Sequence, residues 1–296
     1  MSDVLLTTSH IDKSLKGDSG KSFSDYYKVL HLSIRLSADG FSFSVMEPEH
    51  NKHLALVSYK LDKVEDTQEF CDEIDRVFNE NHLLQRFYPQ VNVIYESLKS
   101  TLVPVPLFDP TELATYLKFN HKVLQQEEIR YDKLDNLEAV NIYAIPVLLR
   151  NKLREKFTKI NLVNYNSALI ETLLISNKNV WLENTVFVNV RRSQFDMVYI
   201  HGDKLVFSNS FSYRTSEDFA YFLLFSLNQL GMNPESVVTV LLGEVDKNSP
   251  LWEIAWKYIR NLELLGRNDF FKYSYVFDDL PENHFYNLLN FSLCGL

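Results

Sequence analysis

Thiols are almost missing from this chain. Its 296 residues include only Cys71 and Cys294, too far apart for a disulfide framework or a cysteine-based zinc site, so a reducing compartment is expected. No run is apolar for the length that a bilayer-spanning helix needs. The longest contender, Phe219–Leu230, is interrupted by Ser226, Asn228 and Gln229, and no integral membrane association is expected. The first residues show no basic-then-apolar leader pattern; the scarcity of cysteine makes the cytoplasm the expected location. An excess of positive charge is also missing: the net charge is −9, which argues against a general nucleic-acid binder. There is no Walker lysine loop, no G-x-G-x-x-G and no G-x-S-x-G, so phosphate-loop, dinucleotide and nucleophile-elbow chemistries lose their usual signatures.

What is present is apolar patterning. Hydrophobic residues are 46% and aromatics 14%, enough for a globular chain, and the length suits two domains with separate cores. In Thr185–Gly231, Val186, Val188 and Val190 alternate with Phe187, Asn189 and Arg191, a strand signal. Phe195–Ile200 reads as a second strand, His201-Gly202-Asp203-Lys204 as a hairpin turn and Leu205–Phe211 as a third strand. Thr215 precedes Asp218 by three residues, a capping box that opens a helix with Phe219, Phe222, Leu223, Leu227 and Leu230 on one face. Gly231 and Pro234 end it, and Val237–Leu242 reads as a buried strand.

The same order occurs earlier. Leu30–Leu36, Phe41–Val45 and Leu54–Tyr59 read as strands, Asp66 with Glu69 caps a helix, and Val91–Tyr95 is a buried strand. Offsets of 154, 149 and 147 residues separate Phe41 from Phe195, Phe70 from Phe219 and Val91 from Val238. This is read as an internal duplication of a β-β-β-α-β unit. The expected division is a flexible polar arm over 1–25, a first lobe over 26–176 and a second over 177–296. Asn177-Lys178-Asn179 marks the boundary between lobes. Thr101–Phe108 is expected to be an edge segment, Asp109–Phe119 a helix and Asn120–Asn136 a polar crossing. Glu138–Ile145 reads as a strand, Pro146–Phe157 as a helix, Ile160–Tyr165 as a strand, and a helix follows from Ser167. Trp252–Leu265 and Asn283–Leu293 are expected to be helical.

A duplicated unit in a chain of this size resembles the actin-like ATPase superfamily, and within it the PilM-type pilus-assembly ATPases and FtsA. The segment AVNIYAIPVLLRNKLREKFTKINLVNYNSALIETLL, from Ala139, is similar to the end of the first half in PilM-type proteins. VVTVLLGEV, from Val237, falls where that family has its adenosine loop, and LSIRLSADGFSFSV, from Leu32, resembles the opening of an uncharacterised bacterial family of this fold. The resemblance implies an α/β, duplicated actin-like ATPase (ribonuclease H-like) fold with two lobes, each a mixed β-sheet flanked by helices. It also implies the nucleotide-cleft positions. Arg35 and Ser37 stand where the first phosphate loop has Asp and Gly, and Asn189 and Arg191 hold those places in the second. Arg192 follows, and Gly243 stands in the adenosine loop with Glu244 where a second glycine is usual. These departures remove a metal-organising carboxylate and the thin loops that let backbone donors reach phosphate.

The expectation is therefore a non-catalytic actin-like protein without a metal or required cofactor, acting on an unknown protein partner as a scaffold or regulator. One alternative is a sensor in which Arg35, Arg191 and Arg192 hold ATP or another anion without metal; the opposing reading makes them solvated loop arginines paired with nearby acids. A second alternative is an active ATPase or sugar-kinase-like enzyme. His50 and His53, near Glu47, have metal-ligand spacing but look like loop residues without a third ligand. Cys71 reads as a packing residue, and the aromatics Phe219, Tyr221, Phe222 and Phe225 as core and inter-domain packing.

Overall fold

The computed structural model describes residues 4–16, 28–61, 66–176 and 184–294. They form two compact units. The first takes Met1–Glu171, Asp269–Asp278 and Asn287–Leu296; the second takes Thr172–Asn268 and Asp279–Tyr286.

Alternating aliphatic residues build the first unit. In β2 (His31–Ser37), Leu32, Ile34 and Leu36 are buried. The strand hairpins into β3 (Gly40–Glu47), which pairs antiparallel with β4 (Lys52–Leu61). Asp66 then accepts the Glu69 N–H at 2.9 Å and starts α1 (Thr67–Glu80). Phe70, Ile74, Val77 and Phe78 bury one helix face against the sheet, where Phe78 meets Phe41 edge-on at 5.6 Å. Each such buried side chain contributes about 1.5–3 kcal/mol. β5 (Gln90–Tyr95) returns parallel to β2.

An inserted three-stranded sheet follows, from β6 (Ser100–Pro104), β7 (Glu127–Leu134) and β8 (Ala139–Pro146) in the order β6-β8-β7. α2 (Leu113–Asn120) packs on it through Leu117. α3 (Val147–Lys156), β9 (Ile160–Asn164), which is parallel to β5, and α4 (Tyr165–Ser176) come next.

The second unit repeats the plan. β10 (Thr185–Val190), β11 (Gln194–His201) and β12 (Lys204–Ser212) form an antiparallel meander. The Thr215–Asp218 capping box opens α5 (Ser216–Gln229). β13 (Val238–Gly243) lies parallel to β10, α6 (Pro250–Tyr258) follows, and β14 (Asn261–Leu264) lies parallel to β13. The strand order β12-β11-β10-β13-β14 matches β4-β3-β2-β5-β9 of the first unit, with the same pairing directions. The expected duplication thus appears in topology, and Phe219, Leu223 and Leu227 bury the α5 face as the periodicity requires.

Several expectations change. Val4–Ile11, assigned to a flexible arm, is strand β1, paired antiparallel with β4. Its outer residues Leu5 and Leu6 are exposed, so an edge strand carries a weak apolar pattern. Residues 1–3 and 17–25 of that arm, and the Asn177–Asn179 boundary, lie outside the described residues. The second lobe does not take the whole tail: β15 (Lys272–Tyr273) pairs with β4, and 269–278 and 287–296 belong to the first unit. Asn120–Asn136 is not merely a crossing, because Glu127–Leu134 is β7; its charges are held by partners such as Lys99 on Glu127 and Arg150 on Glu128. Trp252–Leu265 is helical only to Tyr258, since Asn261–Leu264 pairs with β13. The last helix, α7, is short (Tyr286–Asn290).

Candidate functional site

The β2–β3 hairpin positions Arg35 and Ser37. Glu96, just past β5, is brought beside β2 by the parallel register, and its N–H donates to the Leu36 carbonyl at 2.8 Å. Arg35 Nη2 donates to Glu96 Oε2 at 3.1 Å, and its guanidinium lies 5.3 Å from the Tyr165 ring centroid. The buried Ser37 hydroxyl is 2.8 Å from Asp39 Oδ1 and 3.0 Å from the Gly40 carbonyl. Both side chains thus have partners inside their own unit.

The second hairpin does the same more strongly. Asn189 on β10 lies directly opposite Asp196 on β11. Asn189 Nδ2 donates to Asp196 Oδ2 at 2.9 Å, while Arg191 donates from Nε to Oδ2 at 3.0 Å and from Nη2 to Oδ1 at 2.6 Å. Ser210 on β12 adds its hydroxyl to Oδ1 at 2.6 Å. Asn189, Arg191 and Asp196 are all buried. A charge-assisted, two-point pair of this kind fixes both side chains. Arg192 is exposed on the turn.

Gly243 has a packing reason for being glycine. Its φ is +86°, and a Cβ there would lie 2.1 Å from the Val190 carbonyl oxygen and 2.9 Å from Asn189 Oδ1. Its N–H donates to the Asn283 carbonyl at 2.9 Å, and its own carbonyl accepts from Asn283 Nδ2 at 3.0 Å.

A cavity of about 310 Å³ opens in the first unit beside the start of α1, lined in part by Ala38, Phe70, Leu98, Lys99 and Glu127. Lys99 Nζ reaches both Glu127 oxygens, at 2.6 and 2.7 Å. Asp66 and Glu96 also line the cavity. Burial raises the Tyr95 phenol pKa, and the charges of Glu127 and Glu96 add to the effect. Carboxylates outnumber cations around this space, so a polyphosphate would meet like charge.

Sequence reasoning missed a polar cluster under the inserted sheet. Asp132 on β7 accepts the Asn164 N–H at 2.8 Å, and Asn141 Nδ2 donates to Asn164 Oδ1 at 3.0 Å and to Ser167 Oγ at 2.8 Å. Burial pushes the Asp132 carboxyl up to about 6. The only signal in the sequence is the alternation of Arg130, Asp132 and Leu134 along one face.

His50 and His53 part company. His50 Nδ1 sits 2.7 Å from Glu47 on the surface. His53 is not a loop residue; it is buried in β4, with Nδ1 3.0 Å from Ser44 Oγ and Nε2 2.9 Å from the Leu289 carbonyl. Among the described residues, no group of three or more His, Cys, Asp or Glu is arranged to hold a metal. Cys71 is on the buried face of α1, and burial pushes its thiol up to about 11. Tyr221 and Phe225 are not core: they are 62% and 48% exposed. Among the described residues, no helix is long and apolar enough to cross a membrane.

Two β-β-β-α-β-α-β units of identical strand order, one with an inserted sheet, define an actin-like ATPase fold. The solved structures agree. A Bacteroides thetaiotaomicron VPI-5482 protein with an actin-like ATPase fold and unknown function is 26% identical, with a TM-score of 0.72 over 81% of this chain and 92% of that one. PilM, in the PilM–PilN type IV pilus biogenesis complex, is 13% identical, with a TM-score of 0.58 over 89% of this chain and 97% of that one. The chain belongs to the family described as "Protein of unknown function (DUF3822)", whose model matches residues 24–262. No curated protein matches it by sequence.

Proposed function

We propose that this chain is a non-catalytic actin-like protein, a cytoplasmic scaffold or regulator that works by binding a protein partner. The observation that carries this reading is the Asp196 cluster. A magnesium–nucleotide site needs oxygen ligands for the metal's shell and thin loops around the phosphates. Here Asn189 and Arg191 are turned onto Asp196, and Arg35 is held by Glu96. Gly243 answers to strand packing. The residues at these positions do not fit the metal–triphosphate group that the fold family implies.

Partner binding has support of a different kind. PilM, which shares the fold, occurs in a complex with PilN. In this chain the first unit's cavity has Phe70 and Leu98 on its wall and carboxylates around it, which suits an apolar or basic side chain of a partner better than a phosphate. Thermal shift with ATP or ADP, with and without magnesium, tests the reading. No shift in any condition is expected. A metal-independent shift would favour an anion sensor, and a magnesium-dependent one an enzyme.

A further inference from the structure

The two sheets treat corresponding edges differently. In the first unit, β1 lies antiparallel along the outer edge of β4. In the second, the corresponding strand β12 ends the sheet and pairs only with β11 among the described residues. Alternate N–H and C=O groups of such an edge point outward to meet another strand; here the Ser210 N–H donates to Asn209 Oδ1 at 3.0 Å, a contact that a second strand has to displace. Natural edges are commonly blunted by charge or proline. From Leu205 to Ser212, β12 has neither; its start carries Lys204 and a bulge at Val206.

The edge is also self-complementary. Phe207-Ser208-Asn209-Ser210-Phe211 reads the same in both directions. A second copy laid antiparallel about a two-fold axis at Asn209 sets Phe207 opposite Phe211, Ser208 opposite Ser210, and Asn209 opposite Asn209. Over Phe207–Phe211 like meets like without a charge, as an isologous interface requires, while Lys204 and Arg214 fall opposite each other at the two ends. An apolar flank continues from the strand onto α5. Phe211 stacks on Phe222 at 5.6 Å, and the exposed Tyr221 and Phe225 stack on each other at 5.9 Å. Exposed aromatics beside an uncharged edge are the composition of a protein interface.

We propose that β12 is a dimerisation edge and that its occupant is β12 of a second copy of this chain. The inference is independent of the partner-binding reading, because it concerns a different surface. The test is light-scattering mass of the full-length chain across a concentration series, for wild type, Asn209→Lys, Asn209→Asp and an equimolar mixture of the two variants. Wild type is expected to approach twice the chain mass. Each variant alone is expected to stay at one chain mass, because two like charges face each other at the axis. The mixture is expected to recover the doubled mass, since the introduced ammonium then faces the introduced carboxylate. That recovery separates a lost interface from a damaged fold. Wild type at one chain mass throughout the series would overturn the proposal whatever the variants do, and would leave the edge to a strand from another protein or to solvent. Single variants that keep the doubled mass would also overturn it, since the dimer would then lie elsewhere.

Discussion

Arg191 and Asp196 form a two-point ion pair inside the second unit, with N–O distances of 2.6 and 3.0 Å and side chains only 7% and 3% exposed. Removing one partner of such a pair leaves a buried charge without compensation. Asp196→Ala is therefore expected to destabilise the protein by about 3–5 kcal/mol, measured by chemical denaturation. A solvated loop arginine would instead give a loss under about 1 kcal/mol.

The close approach of two strand ends makes a second prediction. Gly243→Ala places a methyl group against the Val190 carbonyl at a φ of +86°, which only a backbone shift can relieve. Gly231 also has a positive φ, +68°, but open space around it. Gly231→Ala is expected to cost about 1 kcal/mol, and Gly243→Ala clearly more. Equal melting temperatures for the two variants would show that the strand ends can separate freely.

His53 sets a pH dependence. Burial lowers its pKa to about 4, while the unfolded chain titrates near 6.5. Between these values the unfolded state binds a proton that the folded state refuses. Stability is thus full above about pH 6.5 and falls as the pH drops towards 4, by on the order of 3 kcal/mol. The expected result is that His53→Gln flattens this part of the stability–pH curve, whatever it does to absolute stability. An unchanged acid limb in the variant would remove His53 from the account.

β1 covers the β4 edge, and its neighbourhood ties the first unit together: Ser274 hydrogen-bonds Asp12, and His10 stacks near Phe277 at 6.2 Å. Deleting residues 1–12 is expected to lower the melting temperature by several degrees and to promote self-association through the uncovered edge. An unchanged melting curve would mean that β1 is an ornament of the sheet.

Much of this fold is legible in the residues because its signals are local. The Thr215–Asp218 cap, the valine alternation of β10 and the Gly202 turn each need only a few neighbouring residues. β1 is less legible, since an edge strand with Leu5 and Leu6 towards solvent has no clean apolar face. β14 is four residues long, too short to show a period, and its partner β13 lies across a helix. The candidate site is legible only as positions. Asn189 and Arg191 can be read as replacements for Asp and Gly, but their engagement by Asp196 depends on the β10–β11 register and on Ser210 from the third strand. His53 follows the same logic: its spacing to His50 is visible, whereas the Leu289 carbonyl that holds it comes from the far end of the chain.

The most direct measurement of the central claim is phosphate release by the purified full-length chain with magnesium–ATP, alongside Asn189→Ala and Arg35→Ala. With Asn189 and Arg191 held on Asp196, and Arg35 on Glu96, release is expected to equal the protein-free background in all three. Magnesium-dependent turnover in the wild type that either substitution abolishes would contradict the account and make these residues parts of a working ATPase site.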